Sequence, residues 1–261
     1  MPILRELATQ LLTVPANPFR DRFVVKRRMG HRLLLDRDNP LDRLMLKGER
    51  EQEQVSYLFK LATEEALQPH GGAVFLDIGA HWGMYALEAH RRGLFEAIIA
   101  FETDPTNFAQ LQANLFLNGL EHAITTLQLA ASNRSTVAGL ARESFTKLGE
   151  KHVVQLAKPQ YAGCQRVRVD EQFAFENKLL AIHVDVKGHE IEVLEGLSVL
   201  LAKNRCLVHI SANEEVRCGT LGKVIAILAQ HELAHIRSIA SDHYFKSAVT
   251  SRLVHGAHHA G

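Results

Sequence analysis

Cysteine is scarce in this sequence, and the few cysteines present are poorly spaced for structural chemistry. The 261 residues contain three, an odd number without a C-x-x-C pair: Cys164, Cys206 and Cys218. Disulfide scaffolds and thiolate metal sites need more cysteines at closer spacing, so this composition argues against both. A reducing compartment is the expected setting, and we predict a cytoplasmic protein.

Long apolar runs and a large net charge are also missing. No stretch is apolar over the roughly 20 residues that span a bilayer, and Met1 to Ala16 is interrupted by charged and polar side chains. The formal net charge is +1, which excludes polyelectrolyte character for the whole chain. Residues 1–50 hold eleven Lys and Arg against six Asp and Glu, and a solvated basic face is favoured here over an anionic partner. We therefore predict no membrane span and no nucleic-acid partner.

What the sequence does contain is a glycine loop between two apolar runs. The run that ends at Asp77 is typical of a strand buried on both faces. Gly79 and Gly83 permit a sharp turn before a helix predicted over 84–92. The second run ends at Glu102, where a carboxylate can accept hydrogen bonds from ribose hydroxyls. This arrangement predicts a nucleotide-type cofactor site.

The glycine spacing distinguishes between two classes of cofactor. A dinucleotide loop has the pattern G-x-G-x-x-G, whereas this loop has D-x-G-x-x-x-G. S-adenosylmethionine carries no pyrophosphate and needs no helix N-terminus directed at an anion. The observed spacing therefore favours methyl transfer over a nicotinamide oxidoreductase, and an ordinary strand, turn and helix of an α/β protein is the plain alternative.

The remaining patterns predict a doubly wound α/β domain with a hairpin before it. Alternating runs on either side of Met29-Gly30 predict the hairpin, and Asn39-Pro40 ends that unit. Helices are predicted at 1–12, 49–67, 84–92, between Asp104-Pro105 and Asn118-Gly119, at 190–202 and at 221–231. Buried or alternating strands are predicted at 22–27, 31–36, 97–101, 124–131, 179–186, 206–210, 234–239 and 244–249.

The domain organisation follows from these patterns. Residues 132–170 alternate over short runs and show no long helix, which predicts an antiparallel insertion. The expected division is an N-terminal extension over 1–48, a main domain over 49–250 and a flexible tail over 251–261. The extension is expected to cap the active-site face.

Several motifs occur in the order of a known family. They are Phe75 to Gly83, Phe101 to Pro105 with Leu111, Asn114 and Asn118, Ala130 to Asn133, and His183 to Glu190. On these residues the sequence resembles the FkbM-type S-adenosylmethionine-dependent methyltransferases, over roughly residues 45–215. The resemblance implies a Rossmann-like class I methyltransferase fold, with a mostly parallel sheet and an antiparallel C-terminal strand. It also implies O-methylation of a sugar, a glycan or a secondary metabolite.

The cofactor residues are expected around the glycine loop and the next two strands. The candidates are Asp77, Gly79, Ala80, His81 and Gly83 for the methionine portion, Glu102 for the ribose, and Ala131 and Ser132 for the adenine. The expected ligands are thus S-adenosylmethionine and a small-molecule or glycan acceptor.

Candidate catalytic residues lie on two later strands. His183 and Asp185 are two residues apart and share a face, and His209 repeats the pattern on the next strand. An imidazole held by a carboxylate could remove the acceptor proton. Alternatively, the same side chains could ligate a divalent cation, which is the least favoured reading, or the histidines could be hydrogen-bonded core residues.

Two positions depart from the family pattern. His183 stands where the family usually has Lys, and Lys187 stands where it usually has Glu. These departures keep open a second function, in which the chain is a catalytically inactive cofactor-binding or scaffold module of the same fold.

Overall fold

Strands and helices alternate along the computed structural model, which describes residues 22–48, 52–138, 140–141, 152–153, 164–212 and 219–248. The strands are β1 (Phe23–Arg28), β2 (His31–Asp36), β3 (Ala73–Ile78), β4 (Ala97–Phe101), β5 (Thr125–Leu127), β6 (Ala130–Ala131), β7 (Thr136–Ala138), β8 (Leu140–Ala141), β9 (His152–Val153), β10 (Cys164–Val167), β11 (Leu179–Val184), β12 (Arg205–Ser211), β13 (Leu233–Ile239) and β14 (Asp242–Ser247). The helices are α1 (Pro40–Lys47), α2 (Gln52–Ala66), α3 (Met84–Arg92), α4 (Pro105–Leu117), α5 (Val169–Gln172), α6 (Glu190–Glu195), α7 (Ser198–Lys203) and α8 (Thr220–Gln230). The predicted helix over 1–12 and the predicted tail over 251–261 lie outside the described residues.

The central sheet has seven strands within the described residues, in the order β13, β14, β12, β11, β3, β4, β5. Neighbouring strands from β12 to β5 are parallel. Strand β14 runs antiparallel to both of its neighbours. The sheet is therefore mostly parallel with an antiparallel strand near the C-terminus, and the predicted Rossmann-like α/β fold is confirmed.

Both faces of the sheet are covered by helices. Strand β3 is buried at all six positions, and its side chains alternate between the two faces. Phe75 packs in the core on the side of α2, α3 and α4, whereas Leu76 packs on the side of α6, α7 and α8. This double burial explains the continuous apolar character of the strand in the sequence.

Two helices next to the glycine loop begin where the sequence predicts. Helix α3 begins after Gly83 and ends before Gly93, and both glycines adopt the left-handed conformation, with φ of 93° and 64°. The side chain of Asp104 accepts hydrogen bonds from the backbone amides of Thr106 and Asn107 and so caps α4.

The N-terminal hairpin is present and docks against the main sheet's helices. Its turn has positive φ at both Met29 and Gly30, which suits a two-residue hairpin connection. The buried side chain of Asn114, on α4, accepts a hydrogen bond from Leu34 N–H at 2.6 Å and donates to Trp82 O at 3.0 Å. The hairpin is thereby tied to the glycine loop, while the division of the chain at residue 48 stays a prediction.

Helix α1 begins at Asn39-Pro40, the predicted end of the hairpin unit. Asn39 caps this helix by accepting from Leu41 N–H at 2.9 Å, and proline occupies its first position. Asp42 is fully buried and accepts from Asp36 N–H at 2.7 Å and from the Gln110 amide at 2.6 Å. Asn39-Pro40 thus both ends the hairpin unit, as predicted, and begins α1, which was not predicted.

The strand predicted over 124–131 is divided. Strand β5 belongs to the central sheet, whereas β6 pairs in parallel with β10 in a separate three-stranded sheet. Other pairings within residues 132–170, β7 with β10 and β8 with β9, are antiparallel. The chain therefore leaves the main sheet before Ala130, at the edge where a ligand site is expected.

The helix predicted over 190–202 is also divided, into α6 and α7. A Cβ atom on Gly196 would lie 2.0 Å from Ser132 O, so the chain at this break packs directly on a neighbouring loop. The carboxylate of Asp170 accepts from the backbone amides of Val199 and Leu200, at 3.0 Å each, and thereby starts α7. These long-range contacts leave no trace in the local helical pattern.

Candidate functional site

A cavity lies at the carboxyl ends of the parallel strands. The chain runs from β3 to β4 and β5 on one side and returns to β11 on the other, so the strand order reverses between β3 and β11. The cavity occupies about 750 Å³, including space open to solvent. Its lining comes from Leu41, Gly79, His81, Glu102 to Asp104, Asn107, Leu129 to Ala131, Asp185 to Lys187 and His189, with Ile78 and Phe101 beneath.

The glycine loop runs very close to the loop that follows β11. Gly79 has a φ of 87°, and a Cβ atom at this position would lie 2.1 Å from Asp185 O. The backbone amides of Gly79 and Ala80 both donate to Phe101 O, at 2.9 Å each. Glycine is therefore required at 79 both for the conformation and for the space.

Glu102 lies in the cavity wall with both carboxylate oxygens held by the backbone. One oxygen accepts from His81 N–H and the other from Asp104 N–H, at 2.7 Å each. Burial raises the pKa of Glu102 to about 7, although these backbone hydrogen bonds act in the opposite direction. The geometry leaves lone pairs on a fixed carboxylate that can accept hydrogen bonds from hydroxyl groups of a ligand.

Asp77 lies behind the cavity, with its two oxygens bonded inside the protein. Oδ2 accepts from Ala86 N–H at 3.0 Å, and Oδ1 lies 2.8 Å from Nδ1 of His183. The ring of Tyr85 stacks on the imidazole of His183 at a centroid distance of 3.7 Å. Asp77 therefore holds the first turn of α3 against the sheet.

A polar row crosses four neighbouring strands beneath Tyr85. It consists of Asp77, His183, His209 and Tyr244, which are successive register partners. Nε2 of His209 lies 3.0 Å from Oδ1 of Asp242, and its ring stacks on Tyr244 at 4.5 Å. His183 and His209 are 4% and 0% exposed and do not line the cavity. The structure thus places both histidines in a hydrogen-bonded core.

Asp185, in contrast, reaches the cavity wall, because it lies just beyond the end of β11. Nζ of Lys187 is 2.7 Å from Oδ1 of Asp185. The loop turns through Lys187 and Gly188, with φ of 49° and 96°, and Glu190 accepts from Gly188 N–H at 2.7 Å. Burial raises the pKa of Glu190, and the nearby charge of Asp185 adds to the shift. His183 thus contacts Asp77, whereas Asp185 contacts Lys187.

The adenine candidates, Ala131 and Ser132, differ in their access to the cavity. Ala131 lines the cavity, whereas Ser132 is fully buried behind it. Oγ of Ser132 lies 3.0 Å from Nε2 of His189, which itself lines the cavity.

The predicted site residues thus divide into two sets. Gly79, His81, Glu102, Ala131 and Asp185 line the cavity. Asp77, Ala80, Gly83, Ser132, His183 and His209 stand behind that lining. Lining residues outside the predicted set include Leu41, Asn107 and His189. Leu41 follows the N-cap signal at Asn39, and His189 lies within the fourth motif.

Within the described ranges, no helix is both long and apolar enough to cross a membrane. Among the residues with described positions, no group of three or more His, Cys, Asp or Glu side chains is placed to hold a metal ion.

Comparisons with solved structures found similar folds at low sequence identity. The FkbM methyltransferase of Methylobacillus flagellatus KT is 15% identical with a TM-score of 0.47, over 79% of this chain and 52% of that one. TYW2 of P. horikoshii, in complex with MeSAdo, is 14% identical with a TM-score of 0.45, over 87% of this chain and 70% of that one. The precorrin-6y C5,15-methyltransferase of Geobacter metallireducens GS-15 is 15% identical with a TM-score of 0.41, over 75% and 86%. The chain spans about half the length of the first of these structures.

Comparisons of sequence give the family. No curated protein matches the chain. The family model for the Methyltransferase FkbM domain matches residues 77–246, which is well over half of the sequence and includes the glycine loop, Glu102 and Asp185. This chain therefore belongs to the FkbM family of S-adenosylmethionine-dependent methyltransferases.

Proposed function

We propose that this chain transfers a methyl group from S-adenosylmethionine to a hydroxyl of a sugar, a glycan or a secondary metabolite. The proposal is carried by Glu102, whose carboxylate is fixed by two backbone amides in the cavity wall. The cavity itself lies where the strand order of the sheet reverses. When bound, S-adenosylmethionine supplies the methyl group.

The residues at the cavity suit a nucleoside. Glu102 would accept hydrogen bonds from the ribose hydroxyls, because both of its oxygens are already oriented by backbone amides. Gly79 and His81 would hold the methionine portion, since the loop backbone is exposed to the cavity there. Ala131 would contact the adenine with a small apolar surface, and Ser132 would support it from behind.

Asp185 is our candidate for the group that accepts the acceptor's proton. A hydroxyl must lose its proton as its oxygen is methylated, and a carboxylate in the cavity wall can accept it. The ion pair with Lys187 fixes that carboxylate at the end of β11. His183 and His209 act, in this proposal, as positioning residues beneath the loop, through Asp77 and Asp242.

Titration calorimetry with S-adenosylmethionine and S-adenosylhomocysteine tests the cofactor half. We expect binding in the micromolar range, and a loss of at least about tenfold in Glu102→Ala, which removes charge-assisted hydrogen bonds. Glu121→Ala, an exposed carboxylate in a turn, serves as the matched control. A folded wild-type protein without affinity for either ligand would contradict the proposal.

An acceptor screen tests the transfer half. Sugars, glycans and hydroxylated metabolites are compared with an RNA mixture, which the net charge of +1 disfavours as an acceptor. In the Asp185→Asn variant we expect cofactor affinity within about threefold of wild type and turnover lowered by about 100-fold or more. Wild-type turnover that Asp185→Asn leaves intact would remove Asp185 from this role.

A catalytically inactive binding module is the second candidate, and one observation favours it. Asp185, the proposed proton acceptor, already forms an ion pair with Lys187, with 2.7 Å between Oδ1 and Nζ. Tight cofactor binding without turnover on any acceptor class, including after Lys187→Glu, would support this alternative.

A cytoplasmic location is the proposed setting. Cys206 is buried as a free thiol, and burial raises its pKa to about 12, which makes it unreactive. Together with the unpaired spacing of the three cysteines, this suits a reducing compartment.

A further inference from the structure

His189 connects two walls of the cavity. It precedes α6 and is 7% exposed. Its Nε2 lies 3.0 Å from Oγ of Ser132, and its Nδ1 lies 3.5 Å from Oε2 of Glu192. Depending on the tautomer of His189, Nε2 either accepts a hydrogen bond from the Ser132 hydroxyl or donates one to it, so the two side chains are linked in both cases.

The loop that carries Ser132 is fitted closely to the helices on that side. Ser132 N–H donates to Val167 O at 2.8 Å, and a Cβ atom on Gly196 would lie 2.0 Å from Ser132 O. A second side-chain link joins Asn133 to Glu195 at 2.7 Å, but it lies in solvent. The bridge from His189 to Ser132 is a buried side-chain link, and Ser132 directly follows Ala131 of the cavity lining.

We infer that His189 is a positioning residue that sets the width of the cavity at its adenosine end by bridging Ser132 and Glu192. The inference rests on the proposed function, which places the adenosine portion between Glu102 and Ala131. With the bridge intact, the Ala131 wall is held at a fixed distance from the loop that follows β11. Without it, the wall relaxes, and ligands that carry adenosine bind more weakly.

The role predicts a change in affinity without a change in the chemical step. Because His189 is assigned no contact with the reacting atoms, kcat at saturating S-adenosylmethionine should stay within about twofold of wild type, while KM for the cofactor rises. A group that acted on the acceptor would instead lower kcat.

The test measures the affinity of His189→Ala for S-adenosylmethionine and S-adenosylhomocysteine by titration calorimetry. We expect both to bind about tenfold more weakly, which is typical of one lost buried hydrogen bond. His189→Gln should recover affinity to within about threefold, because its amide can reach the position of Nε2. Glu195→Ala removes the exposed link between the same segments and should change affinity by less than about twofold.

A double-mutant cycle distinguishes the bridge from a general loss of packing. Ser132→Ala should weaken binding as much as His189→Ala, and the double variant should bind no more weakly than either one. If His189→Ala does not fold, Ser132→Ala and His189→Gln carry the test. Wild-type affinity in Ser132→Ala, or additive losses in the double variant, would overturn the inference. Failure of the wild type itself to bind would overturn the proposed function first, and this inference with it.

Discussion

The carboxylate of Asp77 and the imidazole of His183 meet across two adjacent parallel strands, with 2.8 Å between Oδ1 and Nδ1. The second oxygen of Asp77 accepts from Ala86 N–H in the first turn of α3. Helix α3 begins after Gly83, whose missing side chain cannot cap it. Asp77 therefore provides that cap from the strand, and His183 fixes the direction in which it points.

Replacement of His183 by alanine should destabilise the fold by about 3 kcal/mol, because Asp77 would remain buried with one oxygen unpaired. Urea denaturation measures this loss. His122→Ala, at an exposed position, should stay within about 0.5 kcal/mol of wild type. A loss below about 1 kcal/mol in His183→Ala would show that the pair contributes little.

Alanine at Gly79 should impair both folding and cofactor binding. Its Cβ would lie 2.1 Å from Asp185 O, a backbone atom that cannot turn aside. Gly93→Ala is a matched control, since Gly93 also has a positive φ but has nothing within 4 Å of the added atom. We expect about 1 kcal/mol from conformation alone at Gly93 and a clearly larger loss at Gly79, measured by denaturation. Equal losses would show that the close approach between the two loops relaxes easily.

Cofactor affinity should depend on pH through Glu102. Its pKa of about 7 means that the carboxylate, which accepts hydroxyl hydrogen bonds, is the minor form at pH 6 and the major form at pH 8. We expect S-adenosylmethionine to bind about tenfold more tightly at pH 8 than at pH 6. Without ligand, the raised pKa of Glu102 makes the free energy of unfolding fall as pH rises. The folded protein holds the proton of Glu102 more tightly than the unfolded chain does, so this contribution to stability is lost as pH rises from the pKa of the unfolded chain through about 7.

Calorimetry at several pH values checks this dependence. Glu102→Gln carries no titrating group at that position, so its affinity should be weaker and much flatter between pH 6 and 8. An equally steep profile in Glu102→Gln would assign the pH dependence to another group.

Asn114→Ala should loosen the N-terminal hairpin. Its buried amide joins Leu34 N–H to Trp82 O, so the substitution leaves both groups without their partner. We expect a loss of about 2 kcal/mol in denaturation and faster hydrogen exchange in β2. Asn118→Ala removes two bonds to Arg32 that are exposed to solvent, and it should cost less than half as much. Similar losses at both sites would contradict the anchoring role of Asn114.

The sequence predicts elements well where a local signal fixes them. Helix α3 matches its predicted bounds because Gly83 and Gly93 end the helical conformation on both sides. The break between α6 and α7 could not be predicted, because it depends on the contact of Gly196 with Ser132 and on capping by Asp170 from another segment. Periodicity carries no information about such long-range contacts.

The candidate site also has residues that local signals predict and partners that only long-range contacts decide. Glu102 and Gly79 are identifiable in the sequence because each follows a buried strand directly. The two-residue spacing also suggested that His183 and Asp185 work together, but β11 ends between them. In the register of β11 with β3, His183 lies opposite Asp77, whereas Asp185 forms an ion pair with Lys187. Pairing between strands, which decides these partners, is not visible in a single strand's pattern.

The polar row across β3, β11, β12 and β14 limits which substitutions this sequence can accept. A change to an apolar residue at one position leaves its partner's polar atom buried, so single substitutions in the row are costly even when the size is conserved. Neutral change should therefore occur by paired exchange. Among relatives of this chain, we expect the residues at 77 and 183 to covary, and likewise those at 209 and 242.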